Sequence, residues 1–81
     1  MNDYVLIIRI QDIHCVGCLN RIQHAVMNLD ANHVEVDLSN HIGKIYFHGD
    51  STRSADFCKA ILDAGYHAEQ LALIPQSEFG V

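Results

Sequence analysis

Apolar residues change their spacing repeatedly along this chain, and each change marks an element. From Tyr4 to Gln11 the residues are rich in β-branched side chains and alternate, with Leu6, Ile8 and Ile10 on one face, which predicts a strand. From Cys18 the period becomes helical. Leu19, Ile22, Val26 and Leu29 recur with Asn20, Arg21, Gln23 and Asn28 between them, an amphipathic helix of about three turns. Asp12 to Gly17 reads as the loop joining strand to helix, and Asp30 to His33 as the turn that ends the helix. Val34, Val36 and Leu38 then alternate with Glu35, Asp37 and Ser39, the pattern of a half-buried strand. Ser39-Asn40-His41 with Gly43 supplies turn chemistry. Lys44 to His48 alternates again with Ile45 and Phe47 inward, which completes a hairpin.

Gly49 to Thr52 leads into a second helix, with Ser51, Thr52 or Ser54 as candidate N-cap. Phe57, Ile61 and Ala64 form its buried stripe, and Gly65 suits the position just past its end. His67 to Leu73 reads as a last strand, stopped by Pro75. The order β-α-β-β-α-β predicts an α+β, ferredoxin-like sandwich: a four-stranded antiparallel sheet with both helices on one face. One domain is expected over residues 1–75, followed by a loose tail over 76–81.

Composition narrows what such a domain can do. With 81 residues, 49% of them apolar, the chain supports one small core and no deep internal cavity, so a ligand site belongs on the surface or in a loop. The formal charge of −5, with no Lys/Arg cluster, argues against a nucleic-acid binder. Tyr46 and Phe47 on an acidic domain do not make the aromatic RNA-binding face that this architecture can carry. No apolar run approaches the roughly 18 residues of a membrane span, and Met1-Asn2-Asp3 is not the basic start of a signal peptide. The expected location is the cytoplasm, without membrane insertion.

The cysteines number three, which excludes a full disulfide framework. In a reducing compartment the close pair in Cys15-Val16-Gly17-Cys18 points to metal binding or catalysis. Cys18 falls in the first helical turn, where orphan N–H groups and the positive end of the helix dipole favour a thiolate. Cys15 precedes it in a loop that Gly17 keeps adjustable. Two soft thiolates on a shallow loop suit Cu(I), and also Zn(II) and its heavier relatives. A closed zinc site wants four ligands, usually two such pairs, and only one pair is present. Thiol–disulfide oxidoreductase chemistry is the rival from the enzyme class. Against it, the single proline is Pro75, near the end, and no Trp or Pro flanks the pair.

The chain resembles the heavy-metal-associated domain family, which includes bacterial copper chaperones and the N-terminal domains of metal-transporting P-type ATPases. That family carries a Gly-Met-X-Cys-X-X-Cys loop after its first strand, matched here by Asp12-Ile13-His14-Cys15-Val16-Gly17-Cys18. Leu19, Ile22 and Val26 fall where the family places its first-helix core, and Val34-Glu35-Val36-Asp37-Leu38 resembles its second strand. Ala60-Ile61-Leu62-Asp63-Ala64-Gly65-Tyr66 resembles its second-helix ending, Ala-Ile-X-X-Ala-Gly-Tyr. The departures are Asp12 for Gly and Ile13 for Met. Ile13 can still bury a side chain beneath the loop, whereas Asp12 adds charge and removes a permissive backbone position.

The resemblance implies a soluble copper chaperone and not an enzyme. Cys15 and Cys18 would hold Cu(I) in near-linear coordination and pass it by ligand exchange to a metal-transporting P-type ATPase or another metal-receiving protein. Such a protein would be a monomer, or a dimer bridged by shared metal. The alternative cargo is Zn(II), Cd(II) or Hg(II), as in a domain of a larger metal transport system. The same resemblance places Tyr66 in a loop facing the metal; the plainer role is a tyrosine packed on the rim of the core. His14 or His67 could add an imidazole ligand that favours Zn(II), against the simpler reading of solvated histidines. His24, His33, His41 and His48 read as surface residues, and Cys58 as a semi-buried filler beside Phe57.

Overall fold

The computed structural model describes residues 3–11, 13 and 16–77, for Val16 the backbone alone. The elements are β1 (Asp3–Gln11), α1 (Val16–Met27), β2 (His33–Asp37), β3 (Ile42–His48), α2 (Arg53–Asp63) and β4 (His67–Pro75). The strands form one four-stranded sheet in the order β2-β3-β1-β4, every pair antiparallel. This is the expected ferredoxin-like arrangement.

Strand alternation dictates the core. Leu6, Ile8 and Ile10 of β1 join Val34 of β2 and Ile45 and Phe47 of β3. Against them lie Ile22 and Val26 of α1 and Phe57 and Ile61 of α2, so both helices cover the same face. Burying each of the larger side chains contributes about 1.5–3 kcal/mol. On the opposite face Val5 is also fully buried, beside its ladder partners Tyr46 and Ile74. β1 is therefore enclosed on both faces at this point and flanked by a strand on each side.

Several boundaries differ from the sequence expectation, each for a local reason. α1 begins at Val16, two residues early, so Gly17 lies within the helix and not in the preceding loop. Leu38 is exposed and belongs to the turn after β2. There the Asp37 carboxylate accepts the Ser39 N–H at 2.9 Å and the Asn40 amide at 2.8 Å, which closes the turn before Leu38 can extend the strand. Gly43 is no turn residue. The left-handed position falls to His41 (φ 58), and Gly43 sits buried in β3. A Cβ at Gly43 would meet Ile10 Cδ1 and Ile8 Cγ1 at 3.2 Å, so glycine there allows close approach of β3 to β1.

Thr52 occupies the N-cap position of α2 but makes no side-chain cap bond, because its backbone is already helical (φ −65, ψ −18). Asp50 serves instead, accepting the Thr52 N–H on Oδ1 at 3.2 Å and the Arg53 N–H on its carbonyl at 3.1 Å. β4 runs through Pro75, which an edge strand tolerates. Its register with β1 slips between Ile7 and Ile8, leaving Leu71 as the extra, exposed residue of a bulge. The Gln76 N–H donates to the Asp3 carbonyl at 2.8 Å, which ties down the start of the expected tail; residues 78–81 lie outside the described residues.

Two devices lock the helices. Arg53 donates to the carbonyls of His48 and Leu29 and lies over the Phe47 and Phe57 rings, 5.8 and 5.3 Å from their centroids. It thereby joins the ends of β3 and α1 to the start of α2. At the other end of α2 the Gly65 N–H donates to Leu62 at 2.9 Å and the Tyr66 N–H to Ile61 at 3.1 Å. This is a Schellman closure with Gly65 at φ 101. Nothing lies within 4 Å of a Cβ built there, so the requirement for glycine is conformational and not steric. Gly65→Ala is expected to lower stability by about 1–2 kcal/mol in urea denaturation. An unchanged midpoint would remove φ as the constraint.

Candidate metal centre

The site forms where β1 hands over to α1. Ile13 is 3% exposed and packs in the core, as the sequence anticipated for that side chain. Cys18 follows in the first turn of α1, half-buried and packed on the core edge. No acidic residue occupies that turn, and a helix N-terminus favours anionic side chains. Cys15, His14 and Asp12 lie outside the described residues.

Strand pairing brings the other half of the chain to this place. Gln11, the last residue of β1, pairs with His67, the first of β4. Tyr66 immediately precedes His67, and the Schellman closure turns it into the core, where it is 8% exposed. Its phenol is influenced by the neighbouring Cys18 and Arg21. The bond to Cys18 is the main cause that raises the Tyr66 phenol above its ordinary value, followed by desolvation and the Cys18 charge; Arg21 opposes them.

Of the sequence candidates, the structure thus brings Cys18 and Tyr66 together. His67 is exposed at the start of β4. Among the described residues no three of His, Cys, Asp and Glu gather into a metal-binding cluster. His24, His33 and His48 are exposed. His41 differs: it is half-buried, with Nδ1 3.3 Å from the Ile10 carbonyl, because it fills the left-handed turn position against β1. Cys58 is half-buried on α2, and burial pushes its thiol above the ordinary value, which suits a packing role over a ligand role. A groove of about 370 Å³ lies elsewhere, on the β2–β3 hairpin between Glu35, Asp37, Asn40 and Lys44. Arg21 was not singled out from the sequence. Its spacing of three from Cys18 on a helix was the available signal.

Comparison with known proteins agrees with this fold. The model of the heavy-metal-associated domain matches residues 7–67, and the chain belongs to that family. It is a metal-binding domain of the fold shared by copper chaperones and P-type ATPase N-terminal domains. A copper-binding domain from HMA7, a P-type ATPase, is 25% identical, covering 86% of this chain and 96% of that one at a TM-score of 0.78. The yeast copper transporter domain Ccc2a, solved in apo and Cu(I)-loaded states, is 18% identical over 85% of this chain and 96% of its own, at a TM-score of 0.78. A domain solved in work on crosstalk between Cu(I) and Zn(II) homeostasis is 20% identical over 83% and 97%, at a TM-score of 0.73. Among curated proteins no match is found. No described helix is long and apolar enough to cross a membrane.

The raised phenol value has a consequence for stability with a defined sign. The folded state holds the Tyr66 proton more tightly than the unfolded chain, whose phenol titrates near 10.0. The contribution is complete below that value and is lost as pH rises through the folded one. Denaturation midpoints of wild type and Tyr66→Phe, compared from neutral to strongly alkaline pH, should converge as pH rises. A constant difference across that range would show that the hydroxyl bond is not formed.

Proposed function

We propose that this chain is a soluble cytoplasmic carrier that holds Cu(I) between the thiolates of Cys15 and Cys18 and delivers it to another protein, with no substrate turned over. The carrying observation is the placement of Cys18. Cys18 is half-buried in the first turn of α1, close enough to Tyr66 to raise its phenol. A thiolate placed there is stabilised by the helix terminus and by a hydrogen bond, yet remains reachable from outside. Cys15 precedes Cys18 by three positions and would supply the second sulfur.

Such a site suits transfer. Two soft ligands satisfy a low-coordinate monovalent ion without enclosing it. A thiolate of the receiving protein could attack the exposed metal to give a three-coordinate bridge, after which one original sulfur leaves. Tyr66 would shield the inner side of the metal from water and share its proton with the sulfur that stays. The receiving protein is a metal-transporting P-type ATPase or a similar acceptor, engaged through a small transient interface. The acidic surface, at a formal charge of −5, favours docking on a basic patch. The carrier acts as a monomer over residues 1–75, with a metal-bridged dimer as its concentrated form.

Zn(II) is the second reading, supported by the related domain from Cu(I) and Zn(II) homeostasis and by His14, Asp12 and His67 as nearby candidates for extra ligands. Family membership favours metal binding over thiol–disulfide chemistry.

Anaerobic titration of the reduced protein with Cu(I) against a competing chelator tests the proposal. One equivalent should bind, and Cys15→Ser with Cys18→Ser should weaken binding by more than about a hundredfold. Undiminished affinity in the double variant would refute the site.

A further inference from the structure

A second pair of side chains with ligand chemistry meets on β2, on the sheet face away from the helices. His33 and Glu35 flank the core residue Val34, so both project on the opposite side of the strand. The His33 Nε2 and the Glu35 Oε1 are 3.4 Å apart, and the two side chains are 62% and 54% exposed. That gap is longer than a good hydrogen bond. It is close to the ~3.3 Å that separates two ligands of a tetrahedral Zn(II) with bonds of about 2.0–2.1 Å. His48 and Asp3 give the contrast: at 2.7 Å they bond each other directly. Tyr46, the ladder partner of His33, steadies both members of the first pair. Its hydroxyl donates to Glu35 Oε2 at 3.3 Å, which leaves Oε1 toward the imidazole, and its ring lies 5.6 Å from the His33 ring. A carboxylate held through its second oxygen is oriented as metal-ligating carboxylates are. The pair lies level with Val5, six positions along β1 from Gln11, and so roughly 20 Å from the proposed copper site.

We propose that His33 and Glu35 form half of a Zn(II) site that a second copy of this chain completes across the two β2 edges. The site is independent of the cysteines. Among the described residues no third His, Cys, Asp or Glu joins the pair, so one chain supplies two donors where a closed zinc site takes four. β2 ends the strand order, which leaves its outer edge open to a second strand. Two β2 strands set antiparallel about a two-fold axis at Val34 bring His33 opposite Glu35 of the second copy, and Glu35 opposite the second copy's His33. Two imidazoles and two carboxylates then rise on one face around the axis. Centring the pair on Glu35 instead would oppose two carboxylates. The two carboxylates balance the charge of Zn(II), and nitrogen and oxygen donors suit that ion better than Cu(I), which prefers sulfur. Lys44, across the ladder from Glu35, works against a cation here and limits the affinity. Without the ion the contact is unfavourable, because each copy carries a formal charge of −5 and β2 is short and charged, as protected edges are. The metal therefore controls the association.

The test titrates Zn(II) into the reduced Cys15→Ser, Cys18→Ser protein, following mass by sedimentation velocity and bound zinc by equilibrium dialysis. The expected result is a shift from one copy to two at one zinc per two chains, reversed by EDTA. In the same background His33→Gln and Glu35→Gln should each stay monomeric; both side chains are exposed, and circular dichroism checks that the fold is kept. Tyr46→Phe keeps the ring, loses the bond to Glu35, and should weaken zinc binding by about tenfold. His48→Gln should dimerise as its parent does. No zinc uptake, zinc bound at one per chain without a change of mass, or a dimer that survives His33→Gln would overturn the proposal. A zinc dimer of the wild type that is lost in the double-serine protein would overturn it too, since the cysteines would then be the bridge.

Discussion

Everything in this small domain is built on β1. It lies between β3 and β4, sends Leu6, Ile8 and Ile10 under both helices, and is closed on its other face at Val5. A strand so enclosed offers no interior room, so chemistry has to be placed at its end. Two segments meet there: the one that becomes α1, and the one that leaves α2 to become β4. The pairing of Gln11 with His67 fixes how near they come. Cys18 and Tyr66, 48 positions apart by number, touch because of that ladder and the glycine closure before it.

The division between rigid and reachable follows from the same construction. Ile13 is buried in the core, and Tyr66, turned inward after α2, is the residue whose phenol feels Cys18. Cys18 as a residue is half-buried. A site closed on all sides would hold a metal for structure; one open on its outer side suits an ion that must leave again.

Much of this was legible from residue spacing. The alternation in β1 and β3, the helical recurrence of Ile22 and Val26, and the Ala64-Gly65-Tyr66 ending were enough for the element order, while only the family resemblance pointed Tyr66 toward the cysteine loop. What escaped depended on contacts distant in sequence. Gly43 looks like a turn residue next to Asn40, but its role comes from the approach of Ile8 and Ile10, more than 30 positions away. Leu38 continues the apolar alternation, yet Asp37 closes the turn through its carboxylate. Thr52 has the chemistry of a cap but not the backbone angle.

The most direct measurement is X-ray absorption at the copper edge on reduced protein loaded with one equivalent of Cu(I). A bis-thiolate site predicts a low-coordinate spectrum with two sulfur neighbours and no nitrogen or oxygen in the inner shell. A four-coordinate shell containing imidazole or carboxylate would contradict it.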